Sequence, residues 1–291
     1  MSIVFLNNKF IKESKAFISI NDHGFLYGDG IYETMRTYGH QVWLLEDHLE
    51  RLFTSAKLIN LKIPWTKKQI EKWILKLIKI NCDLHYATCV MRFSHIAHRI
   101  SHHEFRIRLT ITRGNNEFDF STTKNPLILI TLQPLIEEKQ KSGLRIISFQ
   151  GGRIMPNAKH LSQIINIIAR QKAFQKKCDD AVFVDKQGNI GECAFSNIFI
   201  IKNKILKTPS LEGILSGVTR KFILSFAPKI IKTQECQISL KELYTADEVF
   251  LSVTSKSILW VQSVDDHKIS HGKEGKFTKE IKYYFDKFIN I

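Results

Sequence analysis

The pattern of apolar and polar positions divides the 291-residue chain into short strands and a few amphipathic helices. Two apolar runs, Ile3–Leu6 and residues 9–11, flank Asn7-Asn8 and predict an opening hairpin, because that pair tolerates the left-handed backbone of a tight turn. Glycines at 24, 28 and 30 predict a loop, followed by strands over residues 31–38 and 42–45 around Gly39-His40. From about residue 46 the period changes to that of a helix, with Leu49, Leu52, Phe53 and Ala56 on one face. Residues 65–80 predict an amphipathic, basic packing helix. Residues 105–113 alternate again, which puts Arg106 and Arg108 on one face of a strand. A buried strand follows at 127–132, and the polar run after it reads as a connection. The division expected is an N-terminal domain over 1–133, a linker over 134–141 and a C-terminal domain over 142–291.

The second half repeats the mixture. Residues 145–149 form a strand leading to Lys159. After it, Leu161, Ile164, Ile165, Ile168 and Ala169 are spaced as one buried helical face. Residues 181–185 and a returning limb up to Ile200 are strands joined by a turn at 186–189. Further strands are expected at 197–201 and Ile205–Thr208, and a helix opens at residues 215–220 and runs through Phe226. Leu240–Tyr244 reads as a short helix and Glu248–Val253 as an apolar strand. A last helix over 274–289 carries Phe277, Ile281, Phe285 and Phe288. The class is mixed α/β, and the length supports two modest domains.

Composition narrows the class of function. The chain is 44% hydrophobic, has no apolar run of membrane-spanning length and starts without a signal-peptide core, so no membrane partner is expected. Five cysteines, an odd number without framework spacing, point to reduced thiols in the cytoplasm. The net charge of +15 is carried by scattered lysines without a nucleic-acid-binding motif, so it reads as a solvated surface rather than a nucleic-acid site. Residues 81–103 collect Cys82, His85, Cys89, His95, His98, His102 and His103. Their spacing matches no closed zinc site, so no metal is assigned.

The candidate chemistry lies between Gly151 and Asn197. Lys159 stands just ahead of a helix, and Glu192 sits on a strand among small and apolar residues. A lysine and a distant carboxylate on regular elements suit pyridoxal 5'-phosphate (PLP): the amine forms a Schiff base, and the acid keeps the pyridine nitrogen protonated. Four further strings accompany AKHLSQ at Lys159: HLERL at 48–52, GECAFSN around Glu192, LSGVTR at 215–220 and ADEVFLSVTS at 246–255. In these the chain resembles the fold-type IV PLP enzymes, or class IV aminotransferases, along nearly its whole length and in family order.

The resemblance implies a smaller N-terminal α/β sandwich, a larger C-terminal α/β pseudo-barrel and a homodimer. It implies that Lys159 is catalytic and that Arg51 binds the PLP phosphate with the amides of Val218 and Thr219. Leu215 would pack on the ring, Glu192 would face its nitrogen and Arg153 its phenolic oxygen. Thr254 and Ser255 would meet phosphate and substrate carboxylate, and Tyr32, Thr34 and Arg108 would line the substrate pocket.

The markers of the subfamilies diverge. Arg108 matches the branched-chain aminotransferases, but Ile164 stands where they place a tyrosine. Tyr32 and Ile164 match the D-amino acid enzymes, whose carboxylate trap is replaced by Phe118 and Phe120. Lys159-His160-Leu161 and Thr34 match the aminodeoxychorismate lyases, which eliminate pyruvate. The reading adopted is an aminotransferase working between an α-amino acid, branched-chain-like or D, and a 2-oxo acid such as 2-oxoglutarate. The lyase is the alternative, and intact Lys159, Glu192 and Arg51 argue against a non-enzymatic scaffold.

Overall fold

A computed structural model describes residues 2–92, 104–115, 120, 122–135 and 140–289, the side chains of 85–92 excepted. The chain divides into two compact units, Met1–Ile136 with Ala158–Ser162, and Glu137–Asn157 with Gln163–Ile291.

The first unit contains β1 (Ile3–Leu6), β2 (Lys9–Lys12), α1 (His23–Tyr27), β3 (Gly30–Tyr38), β4 (Gln41–Val42), α2 (Leu45–Leu58), α3 (Lys67–Arg92), β5 (Glu104–Thr112) and β6 (Leu127–Leu135). Its described strands form an antiparallel sheet in the order β2-β1-β6-β5-β3-β4. Asn7 and Asn8 both have positive φ, 43° and 65°, as the opening hairpin requires. The pleat sorts side chains onto two faces. One face carries Ile31, Met35, Ile107, Leu109, Ile111, Ile128 and Ile130, buried against Leu49, Leu52 and Ala56 of α2 and Ile70, Ile74 and Leu77 of α3. Burial of each such side chain contributes roughly 1.5–3 kcal/mol. The other face carries Tyr32, Thr34, Arg36, Arg106, Arg108 and Thr110.

Several expectations shift here. The glycine-spaced loop contains the helical turn α1, because the Asp22 carboxylate accepts from the amides of Gly24 (2.8 Å) and Phe25 (3.3 Å). Gly28, at φ 68°, ends that turn. The strand expected over 42–45 stops at Val42, since Leu44 is left-handed (φ 50°) and Leu45 already begins α2. The helix α3 continues to Arg92, twelve residues past the expected end at 80, and β6 runs on to Leu135.

The second unit contains β7 (Leu144–Gln150), α4 (Ile164–Gln175), β8 (Asp180–Val184), β9 (Ile190–Cys193), β10 (Asn197–Lys202), β11 (Ile205–Thr208), α5 (Val218–Phe226), β12 (Lys232–Glu235), α6 (Leu240–Tyr244), β13 (Glu248–Val253), β14 (Ser257–Val264), β15 (His267–Lys268) and α7 (Lys276–Ile289). Its described strands form a mixed sheet ordered β12-β11-β10-β13-β14-β7-β8-β9, with β15 on β14. The pairs β11/β12, β7/β14 and β7/β8 are parallel.

The expected buried face of α4 holds at Ala169 and partly at Ile165, and fails at Ile164 and Ile168. Asn166, Ala169 and Ala173 are the buried residues, and Ile164 and Ile168 are 64% and 39% exposed. A stripe of small side chains lets the helix lie close on Ala181 and Phe183 of β8, so the bulky isoleucines turn outward. Leu161 is not in the helix, because its amide donates to Gly30 O (2.8 Å) within the first unit. In α7 the buried residues are Thr278, Ile281 and Phe285, while Phe288 is half exposed.

Candidate active site

Lys159 lies on a short segment that runs beside β3. The Tyr32 amide donates to Lys159 O (2.9 Å), and His160 forms a bridge with Ile31. The Lys159 amide donates to Ser55 Oγ on α2 (3.0 Å), so the lysine's backbone is fixed on both sides. Its side chain extends over the polar face of the sheet, with Nζ 4.6 Å from the centre of the Tyr32 ring. The same ring carries the Arg108 guanidinium at 3.5 Å. Burial pushes the Arg108 guanidinium below its ordinary value, against the opposing pull of Tyr32.

Beneath that face, Glu33 is the carboxylate of an otherwise apolar row and is fully buried. It accepts from Arg51 Nε (2.8 Å) and Nη2 (2.7 Å), a bidentate pair, and lies 2.8 Å from His48 Nδ1. Burial pushes the Glu33 carboxyl up, but Arg51, through charge and hydrogen bonding, and His48 outweigh it and hold the group well below the carboxylate range. Burial in turn lowers the His48 imidazole, against the hydrogen bond to Glu33. The neutral ring therefore donates from Nδ1, and its buried Nε2 has no hydrogen-bond partner.

The second unit holds the other candidates. Glu192 on β9 is 6% exposed and accepts from Arg153 Nη1 at 2.9 Å. Arg153 also donates to Pro156 O (3.3 Å). The helix α5 starts after Gly217, which supplies no side-chain cap, so the first-turn amides of Val218 and Thr219 depend on other acceptors. The Asn197 side chain fixes this turn by donating from Nδ2 to Leu215 O (3.0 Å). A Cβ on Gly217 would lie 1.9 Å from Asn197 Oδ1, so glycine is the residue that lets the two meet. Thr219 Oγ1 is 3.5 Å from Thr254 Oγ1, just after β13. Arg220 is buried and donates to Pro209 O (2.8 Å) and Glu235 (2.6 Å), which anchors α5 from the side.

Comparison with known proteins supplies the family. The family model for amino-transferase class IV matches residues 30–264. The chain belongs to the class IV aminotransferases. A Methanocaldococcus jannaschii protein provisionally named a branched-chain-amino-acid aminotransferase is 32% identical, over 97% of this chain and 94% of its own. The D-alanine aminotransferase of Listeria monocytogenes serotype 4b is 30% identical over the same shares. The branched-chain aminotransferase of Thermoproteus uzoniensis, solved with norvaline, superposes with a TM-score of 0.86 at 26% identity, over 99% of this chain and 94% of that one. The chain is accordingly an aminotransferase of the fold-type IV class, and its family cofactor is PLP.

In this aminotransferase the motif reading missed Glu33, Ser55 and Asn197 and gave His48 no role. The signal for Glu33 was available: it occupies the apolar parity of β3, between Ile31 and Met35. His48, Arg51 and Ser55, at i, i+3 and i+7, share one face of α2. Phe118, which stands in place of the D-amino acid enzymes' carboxylate trap, lies outside the described residues, as do His95, His98, His102 and His103. Phe120 is exposed and meets the rings of His23 and Tyr27. No described helix is long and apolar enough to cross a membrane.

Proposed function

We propose that this aminotransferase moves the amino group between an α-amino acid, branched-chain-like or D, and a 2-oxo acid such as 2-oxoglutarate, with Lys159 as the catalytic residue. The observation that carries this reading is Lys159 itself, held at its amide and its carbonyl, with Nζ laid over the Tyr32 ring beside Arg108.

The residues present fit PLP. Gly217 leaves the start of α5 without a side-chain cap, so its first-turn amides are available to an anion. We assign the phosphate to Arg51, the amides of Val218 and Thr219, and Thr254. Glu192 is assigned to the ring nitrogen, Leu215 to the ring face, and Arg153 to the phenolic oxygen as well as to anchoring Glu192. When bound, PLP supplies the electron sink that weakens the bonds at the substrate's α-carbon.

The chain's own residues do the rest. Lys159 Nζ takes the α-proton and returns it, with the Tyr32 ring limiting its travel. Glu33 holds Arg51 in one orientation, so binding an anion costs that guanidinium little ordering. Tyr32, Thr34 and Arg108 orient the substrate's side chain, and Thr254 with Ser255 takes its carboxylate. The same reading makes the enzyme a cytoplasmic homodimer acting on small molecules. Phe17, Ile20, Phe25 and Ile154, 81%, 76%, 72% and 80% exposed, are apolar surface for a second copy to cover.

Lys159→Ala tests the assignment. The wild type should yield a borohydride-fixed protein–PLP adduct and transaminate at least one of L-leucine, L-glutamate and D-alanine. The variant should do neither. An adduct that persists in the variant, or pyruvate release from aminodeoxychorismate without transamination in the wild type, would overturn the reading.

A further inference from the structure

We infer that the outward face of α3 is a docking surface for an anionic phospholipid bilayer, which this enzyme meets peripherally through a stripe of lysines. None of the residues involved belongs to the proposed cofactor or substrate sites.

Along the sequence the lysines look scattered, but the fold gathers five of them on one side of the first unit. The helix α3 turns Ile70, Ile74, Leu77 and Ile78 into the core. Asn81 ties it to β1, accepting from the Ile3 amide (3.0 Å) and donating to Ile3 O (3.0 Å). The inward face is therefore occupied, and the outward one carries Lys68, Lys72, Lys76 and Lys79, all exposed. With 3.6 residues per turn these four fall within an arc of about 80°, in steps of about 5–6 Å along the axis. The strand β2 widens the stripe. Lys12 is exposed and shares the helix-side face of Phe10 by the pleat, and Lys76 Nζ lies 4.8 Å from the centre of the Phe10 ring.

None of the five forms an ion pair among the described residues, whereas Lys67, Lys202 and Lys207 pair with Glu50, Asp247 and Glu242. The acids of α3 nearest the stripe are Glu71, half-buried on its flank, and Asp83, one turn beyond Lys79, so the face stays positive. A negatively charged leaflet attracts such a cluster, each lysine strengthening attachment about fivefold.

Leu75 favours a bilayer over a nucleic acid as the partner. It is 46% exposed, about 20° from the lysine arc and near the middle of its length. A phosphate backbone would cover that side chain with charged oxygens and offer it nothing. A bilayer receives it at the acyl boundary, while the lysine stems lie along the interface with their ammonium groups among the headgroups. The described residues of the stripe also include no arginine and no exposed aromatic ring, the groups that grip and stack bases.

Sedimentation of the PLP-loaded, full-length protein with vesicles tests this. With phosphatidylcholine vesicles holding about 30 mol% phosphatidylserine, at about 0.1 M salt, half the protein should be bound at about 1 mM lipid. It should not bind phosphatidylcholine alone, and about 0.5 M salt should release it. The double variant Lys72→Gln/Lys76→Gln should bind about 25-fold more weakly and Leu75→Ala about threefold more weakly, both with the thermal midpoint of the wild type. Lys72→Arg/Lys76→Arg, which keeps the charge, should bind as the wild type does. No binding to the anionic vesicles, or a folded glutamine variant that binds as well as the arginine variant, would overturn the inference. So would an oligothymidylate of about thirty nucleotides that binds more tightly than the vesicles and is indifferent to Leu75→Ala, since that would assign the stripe to nucleic acid.

Discussion

Replacing Glu33 by glutamine removes one negative charge from a fully buried position. The carboxylate is fully buried, bound through both oxygens to Arg51 and within 2.8 Å of His48 Nδ1. Two unit charges about 4 Å apart attract by about 4 kcal/mol at an effective dielectric of 20. Removing one partner of a buried pair costs about 3–5 kcal/mol, because the other charge stays behind. Glutamine also turns an amide donor toward donors on Arg51 or His48. Glu33→Gln should therefore lose about 3–5 kcal/mol in urea denaturation at pH 7.

The pH profile gives an independent reading. Glu33 has a folded pKa below its unfolded value, so the unfolded chain binds the extra proton. Its contribution is complete above about pH 4.5 and is lost as pH falls toward the folded value. His48 is depressed as well, so stability should already decline below about pH 6.5, where only the unfolded imidazole is charged. The His48 and Glu33 contributions should thus be lost in two windows on acidification, and Glu33→Gln should lack the lower one. A variant within about 0.5 kcal/mol of wild type at pH 7, with the acid limb intact, would refute the reasoning.

Two further outcomes follow from the second unit. Gly217→Ala should force Asn197 off Leu215 O, cost about 1–3 kcal/mol, and weaken PLP binding in a fluorescence titration; unchanged affinity would remove the turn at 215–217 from the phosphate site. Burial pushes the Asp180 carboxyl up to about 6, despite its hydrogen bond from the Ala181 amide. The folded state then binds the extra proton, so this group's own contribution to stability falls as pH rises from about 4 to about 6, opposite in sign to that of His48. Asp180→Asn should be more stable than wild type by up to about 3 kcal/mol at pH 8 and lose that advantage near pH 4. Parallel denaturation midpoints for the two proteins across that range would contradict the burial argument.

The hairpin at Asn7-Asn8, the strand at 105–113 and the helix after Gly217 could be read from the sequence, because turn chemistry and period are local properties. The face of α4 could not. Apolar spacing treats isoleucine as the natural inward residue, yet this helix approaches its sheet through Asn166, Ala169 and Ala173. Close approach rewards small volume, which a hydrophobicity pattern does not weigh. Nor were the strands β12, β14 and β15 placed: β14 joins β13 to β7, which lies more than a hundred residues away, β12 pairs with β11 across α5, and β15 is only two residues long.

The candidate site was legible where a residue type is tied to one chemistry, and obscure where residues act through one another. Lys159, Arg51 and Glu192, proposed as the Schiff-base lysine, the phosphate-binding arginine and the ring-nitrogen carboxylate, stand out in short strings, since each such role has few substitutes. Glu33 looks like any strand carboxylate until Arg51 is placed beside it. Yet the energetics run the other way. A largely desolvated guanidinium of the kind proposed to hold an anion must be neutralised when that anion is away, and Glu33 meets that need while His48 bonds to the same carboxylate. On this argument the phosphate site cannot be confined to the residues that would touch phosphate. Arg51 can be kept largely desolvated and oriented because Glu33 lies on the apolar side of β3, which on the proposed reading makes that misplaced charge part of the binding machinery.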